Sequence, residues 1–380
     1  MEETLELYQL QHCDLMSLSS DQKTATMEET QRLELVSKSI MQNLGRDGPG
    51  LLSIVGVPNA HILARKLLPL ARKLALLNND DRKKILKDHN LGSDVSLKNL
   101  DRIVSSFATQ MKYDQDSNFK PINGGGEFED LGFVFRELGF CMMQLGLSLA
   151  RACDKSIGGR ELEQSLLQSG SAKGRLIHYH SVSDNVAIKQ AANKKKQAKS
   201  GNSNLWQQWH YDYGIFTILT SPMFIQSSGK TEQEYESPNG HSYLQIFHPD
   251  AKRVLKVKAS VGSFIVQVGE SADVISKGAL RATLHSVCRP LEVEDLSRET
   301  FVVFLQPAWN KIFSLSEYEY PNSLFGNRDL ESCDEEDKAL ICAEIVPPLF
   351  SRLKDGMTFA EFAKETTKQY YGNGGLQSSR

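Results

Sequence analysis

The sequence predicts an α+β protein in which helices lead into, and then follow, an antiparallel β-sandwich or barrel. Two observations carry this reading. After Gly170 the chain turns to short β-branched and aromatic runs, Phe216 to Thr220, Tyr243 to Phe247, Val254 to Val257, Ser263 to Val268 and Thr300 to Leu305, each bounded by turn-forming residues. That rhythm belongs to antiparallel sandwiches and barrels. Ahead of it, from about Glu129 to Ala152, Phe133, Leu138, Met142, Leu145 and Leu149 recur at near-helical spacing, the stripe by which a helix packs on a core. Composition agrees, since 40% hydrophobic and 24% charged residues fit a folded globular chain and neither a disordered nor a fibrous one. At 380 residues the chain exceeds what one compact core usually holds, so a large domain with appendages or two closely packed units is expected.

Taken in order, the segment from Thr26 to Arg82 reads as helix, strand, helix, with Leu51 to Val55 as the apolar strand and Gly56-Val57-Pro58 ending it. The start, Met-Glu-Glu-Thr-Leu, has neither the basic residues nor the apolar run of a secretory signal, so export is not expected. Gly124-Gly125-Gly126 lacks a following Lys-Ser or Lys-Thr pair and reads as a hinge rather than a phosphate loop. The apolar stretch from Leu131 to Ala150 is broken by Arg136 and Glu137, which suits a buried helix better than a membrane span. His248-Pro249-Asp250-Ala251-Lys252 has the residues of a hairpin connection. Asn193 to Asn204, with Lys194-Lys195-Lys196, reads as a solvated loop before a nuclear address, and polar Ser227 to Gly240 as a mobile surface loop at a strand edge. Beyond Cys333 an acidic cluster precedes helical periodicity through Phe362, expected on the outside of the sheet, and the tail Gly372 to Arg380 is expected to fray. The boundaries are an α/β extension over 1–120, hinge and long helix over 121–170, sheet core over 171–312, and helices and tail over 313–380.

A net charge of -3 and a pI near 6.3 provide no broad positive field for a phosphate backbone or an anionic lipid surface. Neither nucleic acid nor membrane is an expected partner. The six cysteines, at 13, 141, 153, 288, 333 and 342, have no paired short spacing, which disfavours a zinc ribbon or a redox pair. Reduced thiols in a cytoplasmic protein, with a nuclear location as the second choice, are the expectation.

The chemistry-bearing sequence is Trp209-His210-Tyr211-Asp212-Tyr213-Gly214, followed much later by Leu284-His285-Ser286-Val287. On extended backbone, positions i and i+2 face the same way, so His210 and Asp212 can grip one cation while a distant strand supplies His285. Two imidazoles and one carboxylate leave open coordination positions, as in non-haem iron(II) oxygenases, although the same set serves catalytic zinc. Further on, Arg298 and Thr300 share a strand face and present a guanidinium fork beside a hydroxyl, a receptor for a carboxylate. Arg281 and Arg289 flank His285, and strand parity would put Arg281, Thr283 and His285 on one face. The residues alone leave the choice among these arginines open.

With those motifs in hand, the chain resembles the 2-oxoglutarate- and iron(II)-dependent oxygenase superfamily, in the branch containing isopenicillin N synthase and the plant hormone and flavonoid oxygenases. Gly50 to Val57 before Pro58 looks like the family's amino-terminal strand, and Leu63 to Lys84 like the helix after it. His210-Tyr211-Asp212 with His285 matches the metal motif, and Arg298-Glu299-Thr300 before Phe304 and Pro307 matches the Arg-x-Ser motif. The resemblance implies a double-stranded β-helix, a cupin-like jelly roll, with supporting helices. It implies Fe(II) on His210, Asp212 and His285, and 2-oxoglutarate as cosubstrate with its distal carboxylate on Arg298 and Thr300. A small organic metabolite would be hydroxylated or desaturated with O2 while 2-oxoglutarate becomes succinate and CO2; nothing in it sets an oligomeric state. Three departures stand out: Thr300 for serine, a longer gap from His285 to Arg298, and His178-Tyr179-His180 where the family has Asn-Tyr-Tyr. The last puts His180 at the place of the cosubstrate tyrosine and, with Arg281 as a further pocket candidate, keeps open a competing reading, a non-catalytic binding or scaffold protein with impaired cosubstrate use.

Overall fold

The computed structural model describes residues 3–20, 26–97, 99, 102–113, 126–191, 204–228, 231–237, 240–248, 253–290, 293, 295–316, 318 and 346–371. Gly124 and Gly125, the Lys194-Lys195-Lys196 run, the turn 249–252, the acidic cluster after Cys333 and the tail after 371 lie outside the described residues. Cys13, Cys141, Cys153 and Cys288 are free thiols.

Short strands β1 (Thr4–Glu6) and β2 (Gln9–Gln11) open the chain, followed by helices α1 (His12–Ser19) and α2 (Met27–Leu44). Thr26 caps α2 by accepting the Glu29 amide, as its hydroxyl suits an orphan donor at a helix start. The apolar run Leu51–Val55 forms β3 as expected. The helix expected from Leu63 to Lys84 is instead two, α3 (Ala60–Leu76) and α4 (Asn79–Asp88), because Asn78 accepts the amides of Asp80 and Asp81 and starts a new helix. Then come β4 (Gly92–Ser93), β5 (Val104–Lys112), the long α5 (Leu131–Ile157) and α6 (Glu161–Ser169). Length and composition alone would let α5 cross a membrane, yet most of its apolar stretch is buried inside the fold.

The strand-rich part follows: β6 (Ser171–Tyr179), α7 (Val182–Ala191), β7 (Leu205–His210), β8 (Phe216–Thr220), β9 (Met223–Ser228), β10 (Thr231–Tyr235), β11 (Leu244–His248), β12 (Arg253–Lys258), β13 (Phe264–Val268), α8 (Glu270–Ile275), β14 (His285–Cys288) and β15 (Leu296–Leu305). They form two sheets. The larger runs β2-β3-β13-β8-β15-β6-β5-β4, and the smaller β1-β12-β11-β14-β7. The first strands pair in parallel, β1 on β12 and β2 on β3, so the segment read as an extension supplies strands to both sheets.

Period-two alternation sorts each strand's side chains into two cores. Leu176, Phe301, Val303 and Leu305 join the helices in one, with α3 and α5 lying across β15 and β6. Ile177, Tyr179, Leu219 and Val302 face the smaller sheet's Leu244, Ile246 and Val287 in the other. The polar segment from Ser227 to Gly240, expected to be a mobile loop, contributes instead to a β9–β10 hairpin whose first strand pairs with Leu296–Glu299 of β15. Buried Met223, Phe224 and Ile225 anchor that hairpin, and its polarity belongs to the outer strand. After β15 the chain returns through α9 (Leu349–Arg352) and α10 (Phe359–Tyr371), which close a small core with Phe313 and Val274.

Candidate active site

The two histidines meet because their strands pair. His210 ends β7, His285 begins β14, and the two residues are register partners, with ring centroids 4.2 Å apart. Asp212 lies just past the strand end, in a loop held by the start of α8. The Glu270 amide donates to Asp212 O at 2.8 Å, the Ser271 amide to Gly214 O at 3.0 Å, and the Gly269 amide to Ile215 O at 2.9 Å. Gly269 allows this approach, since a Cβ there would sit 2.3 Å from Gly214 O and 3.0 Å from Asp212 O, and neither backbone atom can give way cheaply.

One ligand-type atom from each of His210, Asp212 and His285 lies within 4.8 Å of the others. His210 Nε2 is 3.7 Å from Asp212 Oδ1, and His285 Nε2 is 3.8 Å from Asp212 Oδ2. Each imidazole turns its other nitrogen to a backbone carbonyl: His210 Nδ1 to Gln208 O at 2.8 Å and His285 Nδ1 to Thr283 O at 2.9 Å. A carbonyl only accepts, so Nδ1 carries the proton and Nε2 is left as the acceptor, which for His210 meets the Gln207 amide at 3.0 Å. Thr217 Oγ1 donates to Asp212 Oδ2 at 2.6 Å, which orients the carboxylate as outer hydrogen bonds do in metal sites. Burial first, and then the charge of His285, push His210 down to about 4, so its ring is neutral at pH 7. A neutral imidazole is the form in which a histidine takes a divalent cation.

The site opens on a cavity of about 90 Å³ between the two sheets. Tyr179 lines it, and its hydroxyl donates to Gln207 Oε1 at 3.0 Å while Gln207 Nε2 lies 3.0 Å from His210 Nε2. Arg298 and Thr300 share their face of β15 with the cavity-lining Val302 and Phe304 but sit deeper, outside the lining itself. Arg298 is fully buried and lies 5.2 Å from the centre of the Tyr179 ring. Its Nε donates to Ser242 O at 2.9 Å, and its Nη1 has no hydrogen-bond partner. Thr300 Oγ1 is 3.4 Å from both the hydroxyl and the carbonyl of Thr220.

Two expected pocket residues are elsewhere. His180 faces away from the cavity, with Nε2 on Ser105 Oγ and Nδ1 on Asn185 Oδ1, both at 2.9 Å. Alternation along β6 puts Lys173, Arg175, Ile177 and Tyr179 on the cavity face and the neighbours of each on the helix side. The cavity therefore has a tyrosine, one residue before the place where the motif comparison put a histidine. Arg281 is also misplaced by strand parity, because 281–284 is not a strand. Its amide donates to Leu44 O and its Nη1 to Arg46 O at 2.6 Å, away from the site. Arg289 lies over the Trp206 ring.

Sequence reasoning also missed Lys173, Arg175, Gln207 and α10. Far from packing only on the outside, α10 lines the cavity with Thr366, Thr367 and Tyr370, and Tyr370 Oη accepts the amide of Tyr211, between two of the grouped residues, at 3.2 Å. The β6 face was readable from alternation once the strand's register was known; α10, expected as a helix only as far as Phe362, had no local signal for facing the cavity.

No protein-family model and no curated protein matches the chain. Solved structures do. A full-length Neurospora crassa protein in complex with alpha-KG and 5-formyluracil is similar at a TM-score of 0.57 and 15% identity, over 95% of this chain and 94% of that one. Dioxygenase for auxin oxidation 1 from Arabidopsis thaliana, in a 2-oxoglutarate complex, is similar at 0.53 and 14%, over 80% and 94%. JOX2 in complex with 2OG, Fe and JA is similar at 0.55 and 14%, over 98% and 87%. The chain thus shares its fold with 2-oxoglutarate-binding dioxygenases.

Proposed function

We propose that the protein is an iron(II)- and 2-oxoglutarate-dependent oxygenase on a double-stranded β-helix, oxidising a small organic molecule while 2-oxoglutarate and O2 become succinate and CO2. The observation that carries this reading is the grouping of His210, Asp212 and His285 at a cavity between two sheets, with both Nδ1 atoms committed to backbone carbonyls. Two imidazoles and one carboxylate suit iron(II) and leave positions for exogenous ligands. The orphaned Nη1 of Arg298 suits the second half of the site, since a buried guanidinium without a carboxylate is incompletely satisfied.

Bound iron(II) would supply the activation of O2 and the oxidising power. The chain's residues supply the rest. His210, Asp212 and His285 would hold the ion, and Arg298 would take the far carboxylate of the diacid, with Tyr179 stacked beside it. Ile177, Leu219, Leu244, Val287 and Val302 make the inner walls apolar, excluding water from the reacting region. A cavity of about 90 Å³ has room for several water-sized groups, so its occupants are small molecules. Small ligands also occupy the similar structures, 5-formyluracil in one and JA in another.

The scaffold alternative rested on His180 standing where a tyrosine is expected, and Tyr179 on the cavity face removes that ground. A zinc hydrolase would need a carboxylate or comparable base beside the metal-bound water; among the described lining residues Asp212, itself a ligand candidate, is the only carboxylate. The test is an anaerobic titration of the purified protein with iron(II) and then 2-oxoglutarate, followed by admission of air. A visible charge-transfer band and substrate-independent succinate formation are expected; neither band nor succinate would end the proposal.

A further inference from the structure

Gln267 lies on β13 and lines the cavity, yet among the described residues neither atom of its side-chain amide has a hydrogen-bond partner. The residue is 1% exposed. Its surroundings give no structural reason for a polar group. Leu51, its register partner on β3, and Ile265, two residues back on the same face, both belong to the apolar core between the sheets. A residue kept there for packing alone would be apolar, because a buried donor and a buried acceptor left unmade are both costly. Three other polar side chains around the cavity are committed: Thr217 donates to Asp212, Tyr179 to Gln207, and Thr367 to Ala363 O.

Register places this amide next to the residue that holds Asp212 and away from the diacid clamp. Gln267 pairs with Thr217 on β8, whose hydroxyl holds Asp212, and directly opposed residues have Cβ atoms about 5 Å apart. Thr217 in turn pairs with Phe304, six residues along β15 from Arg298, or roughly 20 Å at strand rise. The amide therefore stands out of reach of a distal carboxylate bound at Arg298. A carboxylate at the metal would not satisfy it either, since a carboxylate only accepts and would leave Oε1 without a donor. The missing partner must donate and accept from adjacent atoms.

A glutamine presents its N–H and C=O side by side in one plane, an edge that takes two parallel hydrogen bonds. An open-chain secondary amide is trans and points its own N–H and C=O in opposite directions. A ring holds them on the same side and matches the edge. We propose that the substrate is a small cyclic amide or imide, selected by Gln267 through two hydrogen bonds to its adjacent N–H and C=O, with the apolar remainder of the ring against Leu219 and Val302, which also line the cavity. The last torsion of a glutamine side chain is broad, so the amide can turn its edge to an arriving ring. This deepens the oxygenase reading and depends on it for the reaction, though not for the recognition.

The experiment uses the full chain, alone and loaded anaerobically with iron(II) and 2-oxoglutarate, titrated by calorimetry with glutarimide and 2-piperidone and with their N-methyl counterparts. The N–H compounds should bind at least about tenfold more tightly, since each N-methyl counterpart leaves Oε1 buried without a donor. Gln267→Met, of similar volume, should erase that preference, and the ligand-free variant should unfold no earlier than the parent, because an amide without partners has no bonds to lose. A methyl group that merely clashes would be rejected by both proteins alike. Equal affinity within each pair, as expected where only water meets Gln267, overturns the proposal. So does a preference that survives Gln267→Met, a variant that unfolds earlier, or no binding of either N–H compound. Iron and 2-oxoglutarate binding are read in the same titrations. If they fail while the preference remains, only the oxygenase reading falls; if they succeed while the preference is absent, only the substrate class does.

Discussion

Replacing Arg298 with methionine tests the cosubstrate clamp because stability and affinity should move in opposite directions. The guanidinium is fully buried, and burial pushes its pKa down, with Tyr179 acting in the other direction. Removing an ion from water costs several kcal/mol. Against this stand one hydrogen bond to Ser242 O, about 1.5–3 kcal/mol for a charged donor, and a cation–π contact with Tyr179, up to about 2 kcal/mol when desolvated. Nη1 returns nothing. Methionine fills similar space without charge, so the ligand-free variant should be as stable as the parent or more so by roughly 1–3 kcal/mol. The diacid loses two charge-assisted bonds, about 3 kcal/mol or more, so its Kd should rise at least about a hundredfold. Denaturation with and without 2-oxoglutarate reads both effects: at a hundred times Kd the parent gains about 2.7 kcal/mol, and the variant at that concentration gains no more than about 0.4 kcal/mol. A ligand-free variant that unfolds before the parent while keeping parental 2-oxoglutarate affinity would refute the assignment.

Gly269→Ala should weaken metal binding by about tenfold or more, because the new Cβ would meet Gly214 O at 2.3 Å and displace the loop carrying Asp212; an unchanged iron titration would show that the loop yields freely. Glu270→Gln should destabilise the fold by about 3–5 kcal/mol in chemical denaturation, since Arg352, whose Nη1 and Nη2 meet the Glu270 carboxylate at 2.7 and 2.5 Å, would keep a buried charge without its counterion. Stability should also fall as pH rises from about 6.5 to 9. Burial opposes charge on His178, but Glu299 and Asp184 outweigh it and raise its pKa to about 9; a folded pKa above the ordinary value of about 6.5 stabilises fully below 6.5 and loses its contribution on the way to 9. Thermal midpoints across that window should slope downward in the parent and lie flatter in His178→Gln.

Much of this site was legible before folding. The His-x-Asp spacing, the distant His285 and the shared face of Arg298 and Thr300 follow from a two-residue period that any extended segment obeys, and the apolar runs marked most of the core strands. Period two fixes only relative parity, however. Which of Tyr179 and His180 meets the cavity depends on which neighbours β6 pairs with, and that is a contact with residues 298–305 far along the chain. The same limit defeated the parity argument for Arg281, whose backbone is held by Leu44 and whose segment never becomes a strand. Tyr370 reaches the Tyr211 amide across 159 positions. Amino-acid order by itself determined the donor atoms and their spacing, because those are local properties of the backbone. Tertiary structure decided which cations face the cavity, which tyrosine stands beside Arg298 and which helix closes the site, because only sheet register and packing bring distant segments to one surface.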